Sequence, residues 1–163
     1  MATPDFVLSL REHVGTAPLW LTGVTAVVHR DDDVLLVRRS DTGAWTPVTG
    51  IVDPGEEPAD AAVREVLEEA DVTAVVQRLA RVGVTDEITY ANGDRAQYLD
   101  VTFRLRWTSG EPFPADGENT EARWFPRGEL PEMGADMRER VEAALSDEPG
   151  ARFTVAGAVL AGR

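Results

Sequence analysis

The sequence from Gly50 to Val72, GIVDPGEEPADAAVREVLEEADV, carries the clearest structural pattern in the chain and the candidate catalytic residues. Its second half is rich in helix-forming residues. Apolar residues there repeat at i, i+3, i+4 and i+7, which predicts one buried stripe: Val63, Val66, Leu67 and Ala70. Glutamates repeat at i, i+3 and i+4, which places three carboxylates on a neighbouring face: Glu65, Glu68 and Glu69. Like charges at this spacing repel one another, and a divalent cation such as Mg²⁺ would stabilise them.

The residues before these glutamates predict how the chain enters the helix. Asp53-Pro54-Gly55 is typical of a turn, and Pro58 suits a first helical position. Asp60 lies in the first turn, near the positive end of the helix dipole. Arg64 stands four residues before Glu68, so the two can pair and hold that carboxylate in one orientation.

The same stretch resembles the signature of the Nudix (MutT-like) hydrolases, G-x5-E-x7-R-E-U-x-E-E-x-G-U, where U is a bulky aliphatic residue. A glutamate-rich helical face is also typical of a merely solvated helix, but eight positions agree in register: Gly50, Glu56, Arg64, Glu65, Val66, Glu68, Glu69 and Val72. Asp71 departs from the pattern, because the family has its last glycine there. That glycine would end the helix in a left-handed conformation, which Asp tolerates at a cost of about 1 kcal/mol.

The resemblance implies an α/β fold, an α/β/α sandwich with a mixed sheet, which the alternation of strands and helices also indicates. It implies Mg²⁺-dependent hydrolysis of a phosphoanhydride, with Mn²⁺ as a substitute. Glu65, Glu68 and Glu69 would be metal ligands, and Arg64, Glu65 and Glu68 would be among the catalytic residues. The proton acceptor would be one of these glutamates or a carboxylate from a downstream loop.

The segment before Gly50 supplies further candidates by the same resemblance. The family often reads Trp-x-x-Pro-Gly-Gly at this point, whereas this chain has Val48 and Thr49 in place of the Pro and the first Gly. A backbone carbonyl of this turn is a metal ligand in some relatives, so Thr49 is a metal-site candidate. The preceding strand ends in Arg38 and Arg39, and the resemblance suggests Arg39, or Arg38, as a phosphate contact. Both are otherwise ordinary surface charge.

The rest of the chain predicts alternating strands and helices. Ala91-Asn92-Gly93-Asp94 contains the Asn-Gly pair that favours a type I′ hairpin turn. Residues 153–161 would add an edge strand, pair across a dimer, or be loosely held. The predicted elements are, in order, a helix over 3–14, strands over 20–30 and 34–39, the motif helix, strands over 74–79, 82–90 and 97–107, a short strand over 121–125 and a helix over 135–146.

Two later segments carry candidate site residues. The strand over 97–107 alternates, with a polar face that would line a substrate cleft or face water; Tyr98 on it is a substrate-binding candidate. Tyr90 lies roughly where hydrolases of dinucleoside polyphosphates carry a tyrosine. The loop over 109–120 contains Glu118, which we expect to be the catalytic base. It would otherwise be a solvated loop acid.

Composition bounds the class of protein. The 163 residues suggest one domain, with a helical N-terminal extension over 1–18 and a C-terminal tail over 147–163. The net charge of −13 argues against nucleic acid and anionic membranes as partners. The absence of cysteine excludes disulfides and cysteine chemistry. Without a signal peptide or an apolar run long enough to span a membrane, we expect a cytoplasmic protein.

The sequence therefore predicts a nucleotide pyrophosphohydrolase. Its substrate would be a small molecule, a nucleoside diphosphate linked to another group, and a homodimer is possible. No motif selects a particular substrate, and nucleoside triphosphates remain open. The alternative is a Nudix-fold nucleotide-binding or regulatory domain without turnover, although degenerate motifs normally accompany that role.

Overall fold

A computed structural model describes residues 3–162; Met1, Ala2 and Arg163, at the ends of the predicted extension and tail, lie outside the described residues. A short 3-10 turn, Arg127–Glu129, follows the eighth strand. The helices and strands of the described chain are α1 Asp5–Val14, β1 Leu19–Arg30, β2 Asp33–Arg39, β3 Trp45–Thr46, β4 Val48–Ile51, α2 Pro58–Ala70, β5 Thr73–Val84, β6 Ile88–Thr89, β7 Arg95–Ser109, β8 Asn119–Pro126, α3 Ala135–Leu145, β9 Arg152–Val155 and β10 Ala158–Ala161.

The strands form one mixed sheet in the order β10-β9-β5-β7-β1-β2-β3. β1 and β7 run parallel at its centre, while β5 pairs with β7 and β2 with β1 in antiparallel fashion. β4 pairs with β1, β8 with β2 and β6 with β7, outside that main order. Strand β1 thereby brings β4, which ends at Ile51, beside the centre of the sheet.

Helices cover both faces of the sheet, as alternation along β2 shows. Leu35 and Val37 belong to the apolar cluster that includes α2, whereas Val34 and Leu36 belong to the cluster that includes α3. Successive side chains of a strand point to opposite faces, so the two helices lie on opposite sides. The predicted α/β/α sandwich with a mixed sheet is confirmed.

The buried face of α2 is rotated from the predicted stripe toward the glutamates. Val66 and Ala70 are buried as predicted, but Leu67 is half exposed, and Ala62 is buried in its place. The rotation carries two of the three glutamates into the protein interior. The periodicity places Leu67 in the apolar stripe because its side chain is hydrophobic. In the structure, the smaller alanines of α2 contact the sheet instead.

Two expectations about the strands are wrong in detail. The chain over 73–84 is one strand, because bulges at Val76/Arg78 and Leu79/Arg81 interrupt its alternation without ending its pairing to β7. The hairpin turn at Gly93 has three loop residues, with a hydrogen bond of 2.9 Å from Gly93 N to Tyr90 O. Gly93 has φ 86°, but Asn92 does not have a positive φ, so the turn is not type I′.

The polar face of β7 neither lines a cleft nor faces water along its centre. Asp100 and Thr102 are buried beneath α3, where Arg140 donates a 2.8 Å hydrogen bond to Asp100 Oδ1. A second donor to the same oxygen is the Thr25 hydroxyl at 2.7 Å. A buried carboxylate needs such partners, so this part of the predicted open face is a closed polar network.

The two ends of the chain attach to the sheet separately. Helix α1 is anchored by Val7, which is 5% exposed, whereas its apolar residues Leu10 and Val14 are exposed. β9 and β10 form a hairpin that joins β5 through Arg152, so β10 is an edge strand, one of the three alternatives for this stretch. None of the helices in residues 3–162 is long and apolar enough to span a membrane.

Candidate active site

The rotation of α2 gives its three glutamates different environments. Glu65 is 1% exposed and Glu69 is 3% exposed, while the Glu68 side chain is about half exposed. Burial raises the pKa of Glu65 to about 7, against the opposing effect of Arg64. Burial likewise raises the pKa of Glu69 to about 7, although Asn119 donates a 2.8 Å hydrogen bond to its Oε2. Both carboxyls therefore exchange protons near neutral pH, and a cation binding there would displace them.

Arg64, in the middle of α2, binds three carboxylates. Its Nε and one terminal nitrogen donate to the two oxygens of Glu56 at 2.8 and 2.9 Å. Its other terminal nitrogen donates to Glu65 at 2.8 Å and to Glu68 at 3.1 Å, the pairing predicted from their spacing. The Ile51 carbonyl accepts a further bond at 3.2 Å. The guanidinium of Arg64 thus holds the carboxylates of Glu56, Glu65 and Glu68 in fixed orientations.

Glu56 is a member of this site that the candidate set omitted, although its position in the motif was recognised. The hydrogen bonds from Arg64 lower the pKa of Glu56 and keep it charged, and its Oε2 also accepts from Asp53 N at 3.1 Å. Glu56 thereby ties the turn before α2 to the guanidinium. Asn119 was also missed, because nothing in the sequence brings β8 beside Glu69.

Gly50 is required by the closeness of Glu65 to strand β4. A Cβ atom at this position would lie 2.2 Å from the carboxyl carbon of Glu65. No real Cβ makes such a contact, and the neighbour is nearly completely buried. The motif glycine is thus explained by side-chain packing rather than by a positive φ.

A cleft of about 490 Å³ opens beside these groups. It is lined by Glu65 and Glu68 from the helix and by Glu118 from the loop before β8. The cleft is lined by Pro4, Ile51, Asp53, Arg64, Glu65, Glu68, Asp116 and Glu118. Five carboxylates and one guanidinium make this surface strongly negative.

Five predicted residues lie outside that lining. Glu69 is held behind it by Asn119, and Thr49 lies in β4 opposite Thr25. Tyr98 packs in the apolar cluster under α1, and its hydroxyl is 2.7 Å from that of Tyr90. Arg39 is bound at 2.7 and 2.9 Å by Asp41, whose carboxylate, followed by the charge of Glu69, raises the pKa of Arg39.

Arg38, the other predicted phosphate contact, has different surroundings. Its guanidinium donates to the Gly43 carbonyl at 3.1 Å and to Glu121 at 2.9 Å. Arg39, by contrast, has a pKa that is raised by Asp41 and, because Glu69 lies close enough, also by the charge of that carboxyl. Of the two arginines, Arg39 is the one near the helix glutamates.

The donor set fits a divalent cation. Within residues 3–162, no three acidic, histidine or cysteine side chains are placed so that together they could hold a metal ion. Glu65 and Glu68 nevertheless converge on one cationic nitrogen of Arg64, so the protein directs two carboxylates toward a common positive charge. Carboxylate oxygens are the ligands that Mg²⁺ prefers.

Comparisons with known proteins agree with this geometry. The sequence model of the NUDIX domain matches residues 20–144. A MutT-like protein of Streptomyces ambofaciens is 30% identical over 131 residues, which are 80% of this chain and 79% of that protein. The NAD-capped RNA hydrolase NudC of Pseudomonas syringae pv. syringae is 31% identical over 133 residues, 77% of this chain. That match spans only 44% of NudC.

Solved structures share the fold. A crystal structure of an ADP-ribose pyrophosphatase from Streptococcus suis superposes with a TM-score of 0.63 and 26% sequence identity. The superposition covers 82% of this chain and 98% of that protein. The sequence comparison and the structural comparison therefore agree on the fold.

Proposed function

We propose, since this chain belongs to the Nudix family of hydrolases that act on phosphorus-containing anhydrides, that it cleaves a nucleoside diphosphate linked to another group and that it requires Mg²⁺. Nudix hydrolases as a family use divalent metal ions. The substrate class is supported by the relatives' names, because ADP-ribose and the NAD cap of RNA each contain a diphosphate that joins a nucleoside to a second group.

The observation that carries the proposal is the set of three carboxylates held by Arg64. Glu56, Glu65 and Glu68 all bond to that guanidinium, and two of them line the cleft. One carboxylate is sufficient to neutralise the single positive charge of a guanidinium. Additional carboxylates concentrated beside a cleft are expected where a cation is to be bound.

The charge of the cleft supports a need for cations. An anionic diphosphate entering it meets Asp53, Asp116 and Glu118 as well as the helix glutamates, against the single guanidinium of Arg64. Like charges within about 4 Å repel by ~4 kcal/mol at an effective dielectric constant of about 20. Substrate binding therefore requires added positive charge.

Each residue of the site has a separate role in the proposed hydrolysis. When bound, Mg²⁺ would neutralise phosphate oxygens and acidify the attacking water. Glu65, Glu68 and Glu69 would hold it, with the Thr49 carbonyl as a further candidate, and Arg64 orients the carboxylates. Water attacks one phosphorus and the bond to the bridging oxygen breaks, giving a monophosphate and a phosphorylated remainder. A Glu118 carboxylate oxygen takes the proton.

A screen of nucleotide substrates with Mg²⁺ or Mn²⁺ tests the activity. Phosphate release measured with and without added phosphatase separates internal diphosphate cleavage from terminal hydrolysis. We expect release that depends on the phosphatase for nucleoside diphosphate derivatives. Binding of these nucleotides without any turnover would support the alternative, a non-catalytic nucleotide-binding domain.

Replacement of the proposed base tests the role of Glu118. Glu118→Gln should lower kcat by roughly 10²–10⁴-fold and abolish the acidic limb of the pH–rate profile, because the amide cannot accept the proton. Glu129→Gln makes the same charge change at an exposed position and should leave kcat unchanged. Normal kcat in Glu118→Gln, with a loss in Glu65→Gln, would place the base on α2.

A further inference from the structure

Helix α1 contributes to the wall of the candidate active site. Pro4, the residue that caps its N-terminus, lines the same cleft as Glu65 and Glu68. Beside the charged lining residues, Pro4 and Ile51 are the two apolar side chains in that lining. The cleft therefore has one hydrocarbon surface in an otherwise ionic wall.

Specific contacts fix the position of α1 and hence of Pro4. Val7 packs with Leu21 and Ala96, and Ile51 packs against the same cluster. Arg11 donates to the Arg95 carbonyl at 2.6 Å, which ties the helix to the start of β7. Ile51 thus packs against the same buried cluster that anchors α1, the helix that Pro4 caps.

Helix α1 precedes the residues that match the NUDIX domain, 20–144. Ile51 lies in strand β4, directly after the motif glycine. The hydrocarbon surface is therefore assembled from one residue inside the matched domain and one outside it. Such a surface can differ between relatives that share the catalytic motif.

We propose that Pro4 and Ile51 form the contact surface for the nucleoside part of the substrate. The inference rests on the proposed function, which places a diphosphate against the carboxylates. Contact between hydrocarbon groups and a phosphate does not lower the free energy of binding. Contact with an uncharged base and ribose does, because apolar surface is removed from water. The volume of about 490 Å³ lies in the usual range for small-molecule sites. Helix α1 then determines specificity without taking part in the chemistry.

The test separates the two halves of the ligand without needing turnover. Affinities are measured by calorimetry with Mg²⁺ present for two probes, adenosine 5′-(α,β-methylene)diphosphate and methylenediphosphonate. They share the non-hydrolysable diphosphate core, and only the first carries a nucleoside. The variant Pro4→Asn removes the apolar ring without adding charge, and Asn is a favourable N-cap, so α1 is retained. Leu8→Asn, at an exposed position of the same helix, is the matched control.

The proposal predicts that Pro4→Asn weakens binding of the adenosine probe by about fivefold, ~1 kcal/mol, and leaves methylenediphosphonate unchanged. Leu8→Asn should change neither affinity. The proposal is overturned if Pro4→Asn affects both probes equally or neither, or if the wild type binds the two probes with equal affinity. The proposed function instead fails if no nucleotide is hydrolysed in the screen, so the two failures are distinguishable.

Discussion

Arg38 and Arg39 are adjacent in the chain but differ in their surroundings. Arg38 is engaged by Glu121, whereas Arg39 is held by Asp41 and lies within the influence of Glu69. We propose that Arg39 binds a substrate phosphate, and we predict that Arg39→Ala lowers kcat/KM by roughly tenfold or more, about 1.4 kcal/mol, because that charge-assisted contact would be lost. The matched variant Arg38→Ala should leave steady-state kinetics unchanged. Equal effects of the two variants would contradict the assignment of Arg39.

Asp71 ends α2 in the left-handed conformation, with φ 53° and ψ 34°. The departure from the family pattern thus keeps the backbone geometry that the glycine would supply. We predict that Asp71→Gly stabilises the protein by up to about 1 kcal/mol in denaturant titration, with activity unchanged. Asp32→Gly, at a turn position without positive φ, should not stabilise. A clear loss of stability in Asp71→Gly would contradict the strain.

For single residues, the sequence predicted which side chains of α2 pair with each other better than it predicted which of them are buried. The i, i+4 pairing of Arg64 with Glu68 follows from helical geometry alone and is observed. The burial of Glu69 against Asn119 depends on a strand fifty positions away. No local pattern encodes that contact, so the different environments of the three glutamates were not predictable.

Among the elements, α3 is fixed to the sheet by a buried ion pair. Arg140 is 4% exposed and Asp100 is 2% exposed. We predict that Arg140→Leu destabilises the protein by roughly 3–5 kcal/mol in denaturant titration, because it leaves a buried carboxylate without its partner. Arg138→Leu, on the same helix, loses only a bond to the Pro131 carbonyl and should cost about 1 kcal/mol. A loss below about 1 kcal/mol in Arg140→Leu would contradict the pairing.

The same ion pair could not be predicted from the sequence pattern of β7. Alternation gave the correct faces of β7, but it could not decide whether the polar face meets water, a ligand or another helix. Arg140 and Asp100 are 40 positions apart. Bulges similarly concealed the continuity of β5, because an extra residue shifts the alternation by one. Helix α2, whose signals are local, was predicted well apart from its rotation.

For the whole molecule, composition and fold both oppose the binding of an anionic substrate. A net charge of −13 opposes an anionic substrate, and the fold concentrates five carboxylates in one cleft. We therefore expect metal ions to be needed to offset the negative charge of the protein and of its cleft. We propose that the chain acts as a single domain, because α1 and the sheet share a buried cluster that includes a wall of the cleft.

The central claim is that the carboxylates of α2 make this chain a metal-dependent phosphoanhydride hydrolase. The most direct measurement is the hydrolysis rate against Mg²⁺ concentration for Glu68→Gln and Glu57→Gln, which make the same charge change on or beside one helix. Glu57 is exposed and lies outside the cleft lining. We predict a loss of roughly 100-fold or more in kcat for Glu68→Gln, with an unchanged or higher thermal midpoint. Glu57→Gln should match the wild type. Near-normal turnover of Glu68→Gln at saturating Mg²⁺ would contradict the claim.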